Sequence, residues 1–388
     1  MFTTYVARTF HGLEPILAKE LEALGAQNVL ELKRAVSFEA DTFFYYKANY
    51  WLRTALCVLV PIAQGKVKNE TDLYDLVKKV HWEKYVSVDG TIAVDSTVHS
   101  DFFNHTKYVA LKSKDAIVDR FRELYGKRPN VDVERPNLKI HIHIDKDQCN
   151  ISLDSSGDAL FKRGYRQETN DAPINEILAA GMIQHTNWDQ QVNFYDPMCG
   201  SGTIPIEAAF IAANMSPQAN RKFFAFMNWP NFSRTHWEKV KEEAFKVKTT
   251  PKAKIYASDM SMQAIRIATE NARRAGVLDY IDFNRVSFEL SKAPDGDGII
   301  VTNPPYGERL QAEEEIFSLY KKIGDTLKTK YEGYDAFIIS SNLEALKHVG
   351  LRATRRIQLF NGALECKLMK FSIYRGSKKY QEEETANS

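Results

Sequence analysis

Three short segments in the second half of the chain carry residue types that could bind and turn over a small molecule. The first is Asn193-Phe-Tyr-Asp196-Pro197-Met-Cys199-Gly200-Ser201-Gly202-Thr203-Ile-Pro-Ile-Glu207. Its pattern predicts a strand ending at Asp196, a tight loop on Gly200 and Gly202, and then a helix. Glycines there let backbone N–H groups approach a ligand closely, at the carboxyl end of a parallel strand where such sheets bind small molecules. It is not the dinucleotide fingerprint, because Pro205 stands at the third glycine position and an acidic residue precedes the loop. A carboxylate there suits a ligand with an ammonium group and disfavours a pyrophosphate. The second segment, Tyr256-Ala-Ser-Asp259-Met260, ends in an acidic residue of the kind that holds a ribose diol. It follows Asp196 at more than the roughly 20 positions usual for that pairing, because the segment 216–250 intervenes. The third is Ile299-Ile-Val-Thr-Asn303-Pro304-Pro305-Tyr306-Gly307. Two prolines remove two N–H donors and hold the Pro304 carbonyl in a fixed direction. Asn303 adds a second acceptor and Tyr306 a flat ring. Two acceptors beside a stacking platform suit a planar exocyclic amine.

The elements that must position these residues follow from composition and pattern. With 388 residues, 44% hydrophobic and 26% charged, the chain is expected to be globular with two to three domains. No apolar run approaches the roughly 20 residues of a membrane helix, and no secretory signal is visible, so the expected location is cytoplasmic and the expected partners exclude a membrane. Four separated cysteines with no CxxC pair argue against a disulfide scaffold and against a metal. A net charge of +2 excludes a protein that coats nucleic acid through bulk basicity. A polyanion must be met by local clusters, for which the candidates are Arg120, Arg122, Lys127 and Arg128; Lys162, Arg163 and Arg166; and Arg352, Arg355 and Arg356. Taken singly, each reads as a solvated face.

Residues 1–65 read as strand, helix, strand, strand, helix, strand, the ferredoxin-like order, with Asp41 as the cap of the second helix. Residues 66–160 form a second α+β module ending in a hairpin. There His141 and His143 share one strand face and read as an exposed pair rather than metal ligands. From residue 161 helices and strands alternate, which predicts a mostly parallel, Rossmann-like α/β sheet with an antiparallel C-terminal edge. The helix over 172–185 leads it, and the polar, aromatic segment 216–250 reads as an insertion with the character of a lid.

Together the three motifs resemble the class I S-adenosylmethionine-dependent methyltransferases that carry an Asn-Pro-Pro-Tyr motif. Phe161-Lys-Arg-Gly-Tyr-Arg-Gln167 and Asp171-Ala-Pro-Ile-Asn-Glu-Ile-Leu-Ala-Ala180 resemble the lead-in of RNA methyltransferases with a THUMP domain, and most nearly the ribosomal RNA guanine-N2 methyltransferases of the RlmL type. The resemblance implies a ferredoxin-like domain (1–65), a THUMP domain (66–160) and a methyltransferase domain (161–388), with S-adenosyl-L-methionine as cofactor and RNA as partner. By the same resemblance Asp196, Pro197, Cys199, Gly200, Ser201, Gly202 and Thr203 form the cofactor loop. Asp259, with Met260 beside it, would hold the ribose, and Asn303, Pro304, Pro305 and Tyr306 the target base. Many relatives place an acidic residue after the third strand to meet the cofactor adenine. Here Ser287 and Phe288 occupy that place, with Glu289 the next candidate.

The function expected is methylation of guanine N2 in large-subunit ribosomal RNA. The alternatives are adenine-N6 methylation of DNA, which the same tetrapeptide could serve, and a non-catalytic RNA-binding assembly factor. Since every chemical motif follows residue 160, a fragment from about residue 156 is expected to keep the cofactor and lose the RNA.

Overall fold

The computed structural model describes residues 2–166, 174–307 and 313–375, so Gln167 and Asp171 to Pro173 of the lead-in lie outside the described residues. Two compact units result. One comprises Met1–Thr9, Leu17–Leu160 and Arg221–Glu243; the other comprises Phe10–Ile16, Phe161–Asn220 and Ala244–Ser388.

The first unit holds β1 (Thr3–Arg8), α1 (Glu14–Ala23) from Leu17 onward, β2 (Gln27–Leu32), β3 (Ala35–Ala40), α2 (Phe44–Trp51) and β4 (Cys57–Lys66). It continues with α3 (Glu70–Lys79), β5 (Thr91–His99), α4 (Thr106–Tyr125), β6 (Asn130–Val131), β7 (Leu138–Asp145) and β8 (Gln148–Asp154). All eight strands join one sheet in the order β2-β3-β1-β4-β8-β7-β5-β6. The seam is β4, which pairs with β1 through Val6 and Leu59 and with β8 from Leu59–Asp154 to Lys66–Gln148. The expected boundary at residues 65 and 66 falls within this strand. Asp41 does not cap α2: its carboxylate accepts the Phe43 N–H (2.9 Å), one residue before the helix begins.

The second unit takes up α5 (Glu176–His185), β9 (Asn193–Asp196) and α6 (Thr203–Ala212). The helix α7 (Arg234–Lys246), which belongs to the first unit up to Glu243, comes next in the chain, then β10 (Ile255–Asp259), α8 (Met262–Ala275), β11 (Ile281–Arg285) and β12 (Gly298–Thr302). The chain closes with α9 (Glu313–Lys330), β13 (Tyr334–Ser340), α10 (Leu343–Lys347), β14 (Arg355–Asn361) and β15 (Leu364–Ser372). Their sheet runs β11-β10-β9-β12-β13-β15-β14, the first five strands parallel and the last two antiparallel. Every residue of β12 is buried, as a central strand covered on both faces requires. The order steps outward from β9 to β11 and then restarts at β12 on the other side of β9. That switch opens a crevice at the carboxyl ends of β9 and β12.

The structure corrects several expectations. The segment 216–250 is no lid: its middle, Arg221–Glu243, belongs to the first unit. Phe226 packs on Tyr46 (ring centroids 4.5 Å), Trp229 on Tyr45 (5.4 Å), and Trp237 stands edge-on to Tyr50 (5.4 Å) and Phe226 (5.3 Å). Conversely residues 10–16 belong to the second unit, where Leu13 fills the space that Gly181 leaves by having no side chain. His141 is not exposed. It is 4% accessible and bonds through Nδ1 to Asp95, while burial lowers the pKa of His143. Several cations of the proposed phosphate clusters are already paired with acids: Arg120 with Glu83 (2.7 Å), Arg122 with Asp119 (3.1 Å), and Arg163 with Glu207 (3.2 Å). Arg355 donates to the His185 carbonyl (3.0 Å). Lys127, Arg128, Arg352 and Arg356 remain exposed. The four cysteines are buried free thiols, and no helix among the described residues is long and apolar enough to cross a membrane.

Two outcomes test this arrangement. Truncating the buried Trp237 to alanine should cost about 3–5 kcal/mol, read from the denaturant midpoint of the full chain. A fragment starting at residue 156 should fail to fold cooperatively, because it lacks the partners of Phe226, Trp229 and Trp237 and lacks Leu13 against Gly181. A sharp thermal transition from that fragment, at the full-length midpoint, would contradict the exchange of segments.

Candidate active site

Because β9, β10 and β12 run parallel and in register, Asp196, Asp259 and Asn303 emerge at one end of the sheet. After Asp196 the chain turns back on itself. The Cys199 N–H donates to the Ser258 carbonyl on β10 (2.9 Å), and the Gly202 N–H to the Cys199 carbonyl (2.8 Å). Gly200 (φ 53°) and Gly202 (φ 83°) adopt the left-handed backbone that this tight path demands. A Cβ on Gly202 would meet that of Ala268 at 2.9 Å, so the loop lies directly on α8. A Cβ on Gly200 would meet nothing within 4 Å, which marks the open side of the loop. From α8 the Asn271 amide donates to the Ser201 carbonyl (3.0 Å). Arg166 fixes the start of α6, donating to Thr203 Oγ1 (2.7 Å) and pairing with Glu176 (3.1 Å). Pro197, Cys199, Ser201 and Thr203 are all buried in this arrangement.

Asp196 is 1% exposed. Its Oδ1 accepts the Met198 N–H (3.2 Å), but Oδ2 is buried with no hydrogen-bond partner. Burial, aided by the charge of Asp259, pushes its pKa up to about 7 against the pull of the Thr302 hydroxyl and the Met198 amide. Such a carboxylate is completed by a cation with N–H donors. Asp259 is half-buried, accepting the Gly200 N–H at Oδ2 (3.1 Å) and the Ser261 N–H at Oδ1 (2.9 Å). A carboxylate has about four lone-pair sites, so two remain for hydroxyl donors. Met260, 73% exposed, offers apolar surface beside it. After β11, Ser287 is half-buried, whereas Phe288 sits in the core against Tyr331 (5.2 Å) and Tyr195 (6.4 Å). Glu289 pairs with Lys322 (3.8 Å). The structure therefore gathers the glycine loop and Asp259 closely, while Phe288 serves the core.

Across the switch point, the Tyr306 hydroxyl donates to Asn303 Oδ1 (2.5 Å). Burial raises the pKa of that phenol far above its ordinary value, so it remains a donor. Pro304 is buried and Pro305 exposed, and among the described residues no group donates to the Pro304 carbonyl. One lone pair of Asn303 Oδ1 and the Pro304 carbonyl are thus available to a second donor. Sequence reasoning passed over the residues behind this loop. Tyr320 on α9 shares its hydroxyl between Ser340 Oγ (2.7 Å) and the Pro305 carbonyl (3.3 Å), and the Asn342 amide donates to the Tyr306 carbonyl (3.2 Å). The signal was the apolar run of β13 stopping at Ser340-Ser-Asn342, which puts polar groups at the site end of a parallel strand.

This strand order, with a glycine loop after the first strand and Asn-Pro-Pro-Tyr after the fourth, defines a Rossmann-like methyltransferase. Residues 163–370 match the RMKL-like methyltransferase domain, residues 67–154 the THUMP domain and residues 4–59 the RlmL ferredoxin-like domain. The chain belongs to the RMKL-like methyltransferase family. It is 41% identical over 93% of its length to the ribosomal RNA large subunit methyltransferase K/L of Syntrophotalea carbinolica, of which it spans 52%. It is 36% identical over 95% of its length to the Synechocystis protein slr0064, named for RNA methyltransfer, and spans 97% of it. The protein SMU.472, whose crystal structure is a complex with SAH, aligns with a TM-score of 0.86 at 29% identity, over 97% of this chain and 99% of that one.

The raised pKa of Asp196 has a definite sign. Below its ordinary 3.8 the carboxyl is neutral folded or unfolded; between there and about 7 only the unfolded chain ionises, so stability falls as pH rises. The loss is on the order of 4 kcal/mol and complete above about pH 7. Asp196→Asn should therefore melt higher than wild type at pH 8, with the gap closing toward pH 4. Parallel melting curves across that range would show Asp196 to be ionised or paired in some other way.

Proposed function

We propose that this chain transfers the methyl group of S-adenosyl-L-methionine to an exocyclic amine of an RNA base, guanine N2 in large-subunit ribosomal RNA, in the cytoplasm. The observation that carries the reading is the pairing, across one switch point, of an unanswered carboxylate oxygen on Asp196 with the acceptors of Asn303 and Pro304. The residues fit the cofactor. Asp196 takes its ammonium group, Asp259 its ribose hydroxyls, and the open side of Gly200 admits its methionine moiety against the backbone. When bound, the cofactor supplies a sulfonium-activated methyl group.

The chain's own contribution is alignment. Asn303 Oδ1 and the Pro304 carbonyl accept the two amine N–H bonds, which turns the nitrogen lone pair toward the methyl carbon. So held, the amine would be placed to take a methyl group in exchange for the cofactor sulfur, and its proton would leave to water. Tyr306 contributes its ring to the base and its hydroxyl to the orientation of Asn303. Support for RNA comes from the THUMP match over residues 67–154 and from relatives whose names give ribosomal or RNA methyltransfer. A base reaches such a pocket only when flipped or unpaired, at a cost of a few kcal/mol in a duplex.

Transfer of labelled methyl to large-subunit ribosomal RNA, followed by nucleoside mass analysis, tests the proposal with DNA as the second arm. The expected product is N2-methylguanosine; methylated adenine in DNA, or no product, would replace the reading. Asn303→Ala should abolish turnover while leaving cofactor affinity near wild type. Asp259→Ala should weaken cofactor binding by about 1.5–3 kcal/mol, roughly 10- to 150-fold by calorimetric titration. Unchanged affinity would remove Asp259 from the ribose site.

A further inference from the structure

We infer that Asn342, at the end of β13, is a positioning residue that mounts the Asn-Pro-Pro-Tyr loop; the inference rests on the function proposed above. Among the described residues, Tyr320, Asn342 and Cys366 hold the loop from outside it. Tyr306 is anchored at its carbonyl by Asn342 Nδ2 (3.2 Å) and at its hydroxyl, which donates to Asn303 Oδ1 (2.5 Å) and accepts from the Cys366 thiol (3.9 Å). Asn303 in turn is the acceptor on which the geometry of the amine depends. The path from β13 to the reacting nitrogen therefore runs through Asn342, Tyr306 and Asn303.

The second half of the Asn342 side chain fixes its orientation. Asn342 Oδ1 accepts the Ala345 N–H (2.9 Å), the N-cap bond of α10, so the amide cannot turn over without losing that cap. With Oδ1 committed to the helix, Nδ2 must face the Tyr306 carbonyl. The backbone agrees, because the Asn342 N–H donates to Ser340 Oγ (3.1 Å), and Ser340 Oγ accepts from the Tyr320 hydroxyl that also reaches the Pro305 carbonyl. The Tyr306 carbonyl is thus pinned just after β13, and the Pro305 carbonyl meets the Tyr320 hydroxyl of α9, itself bonded to Ser340. Holding consecutive carbonyls restricts the backbone torsions of Tyr306 between them, and with these the direction in which its side chain leaves the backbone.

The two jobs of Asn342 are chemically separable. Aspartate caps a helix as well as asparagine does, yet it has no N–H for the Tyr306 carbonyl and sets a negative charge against it. Asn342→Asp should keep the thermal midpoint within a few degrees of wild type and leave the KM for S-adenosylmethionine unchanged. Its kcat should fall roughly 10- to 100-fold, the usual effect of a small misplacement of reacting groups. Asn342→Ala, which loses both bonds, should lose stability as well as rate. Tyr320→Phe is the independent variant, expected to lower kcat in the same direction by releasing the Pro305 carbonyl.

A wild-type rate in Asn342→Asp would overturn the inference, and so would a fall in rate matched by an equal loss of stability. If the wild-type chain methylates no RNA while still binding the cofactor, the proposed function fails and the positioning role fails with it. Wild-type turnover beside an equally active Asn342→Asp removes the positioning role alone.

Discussion

A carboxylate taken almost wholly out of water, with one oxygen bonded and the other without a hydrogen-bond partner, is costly to hold. Asp196 is in that condition, and the rest of the second unit is arranged so that it can be. Its strand is the one from which the sheet grows in both directions, so neighbours cover it on each side. The glycine loop folds over its end, lying on α8 with no room for a side chain at Gly202. Asp259 bonds the Gly200 amide and the first turn of α8 at once, so loop, helix and second carboxylate are one construction. A buried carboxylate of this kind favours a cationic partner or a proton, because either removes the cost of holding its charge out of water.

The other side of the switch point is built on an opposite rule. There most of the loop is tied down, Tyr306 on Asn303, Asn342 on Tyr306, and Tyr320 between Ser340 and Pro305, while the Pro304 carbonyl stays open among the described residues. Satisfied networks hold a geometry, and an unsatisfied group seeks a partner. The site thus combines a receptor for one molecule with a rigid rest for another, which is the division that alignment catalysis needs.

The sequence showed the second sheet clearly where local pattern and local chemistry coincide. The run Gly298–Thr302 is wholly apolar and stops at Asn-Pro-Pro, and the strand has those bounds. The glycine loop, Asp259 and the C-terminal hairpin are legible for the same reason: each is a short-range signal with its own punctuation. What stayed hidden depends on partners far along the chain. His141 reads as solvent-facing until Asp95, 46 residues earlier, is found beside it. The cations of α4 and of the lead-in look free until Glu83, Asp119 and Glu207 are placed against them. The aromatics of 216–250 gave no sign of which core they complete, since hydrophobic contact carries no directional code. Asn342 was missed because its role is set by a carbonyl, which every residue has.

The exchange of segments also orders events in time. The last strand of the first unit's sheet ends at Asp154, but the residues that finish its aromatic core end at Glu243. At the roughly 5–20 residues per second of protein synthesis, a nascent chain waits about 4–18 s between those points. Throughout that interval Tyr45, Tyr46 and Tyr50 lack the rings that cover them. Residues 10–16, made among the first, stay unplaced until α5 and β14 exist. Neither unit can therefore be completed and released in turn as the chain leaves the ribosome; translation must carry both forward together, and a pause or a break before residue 243 leaves two unfinished cores rather than one finished domain.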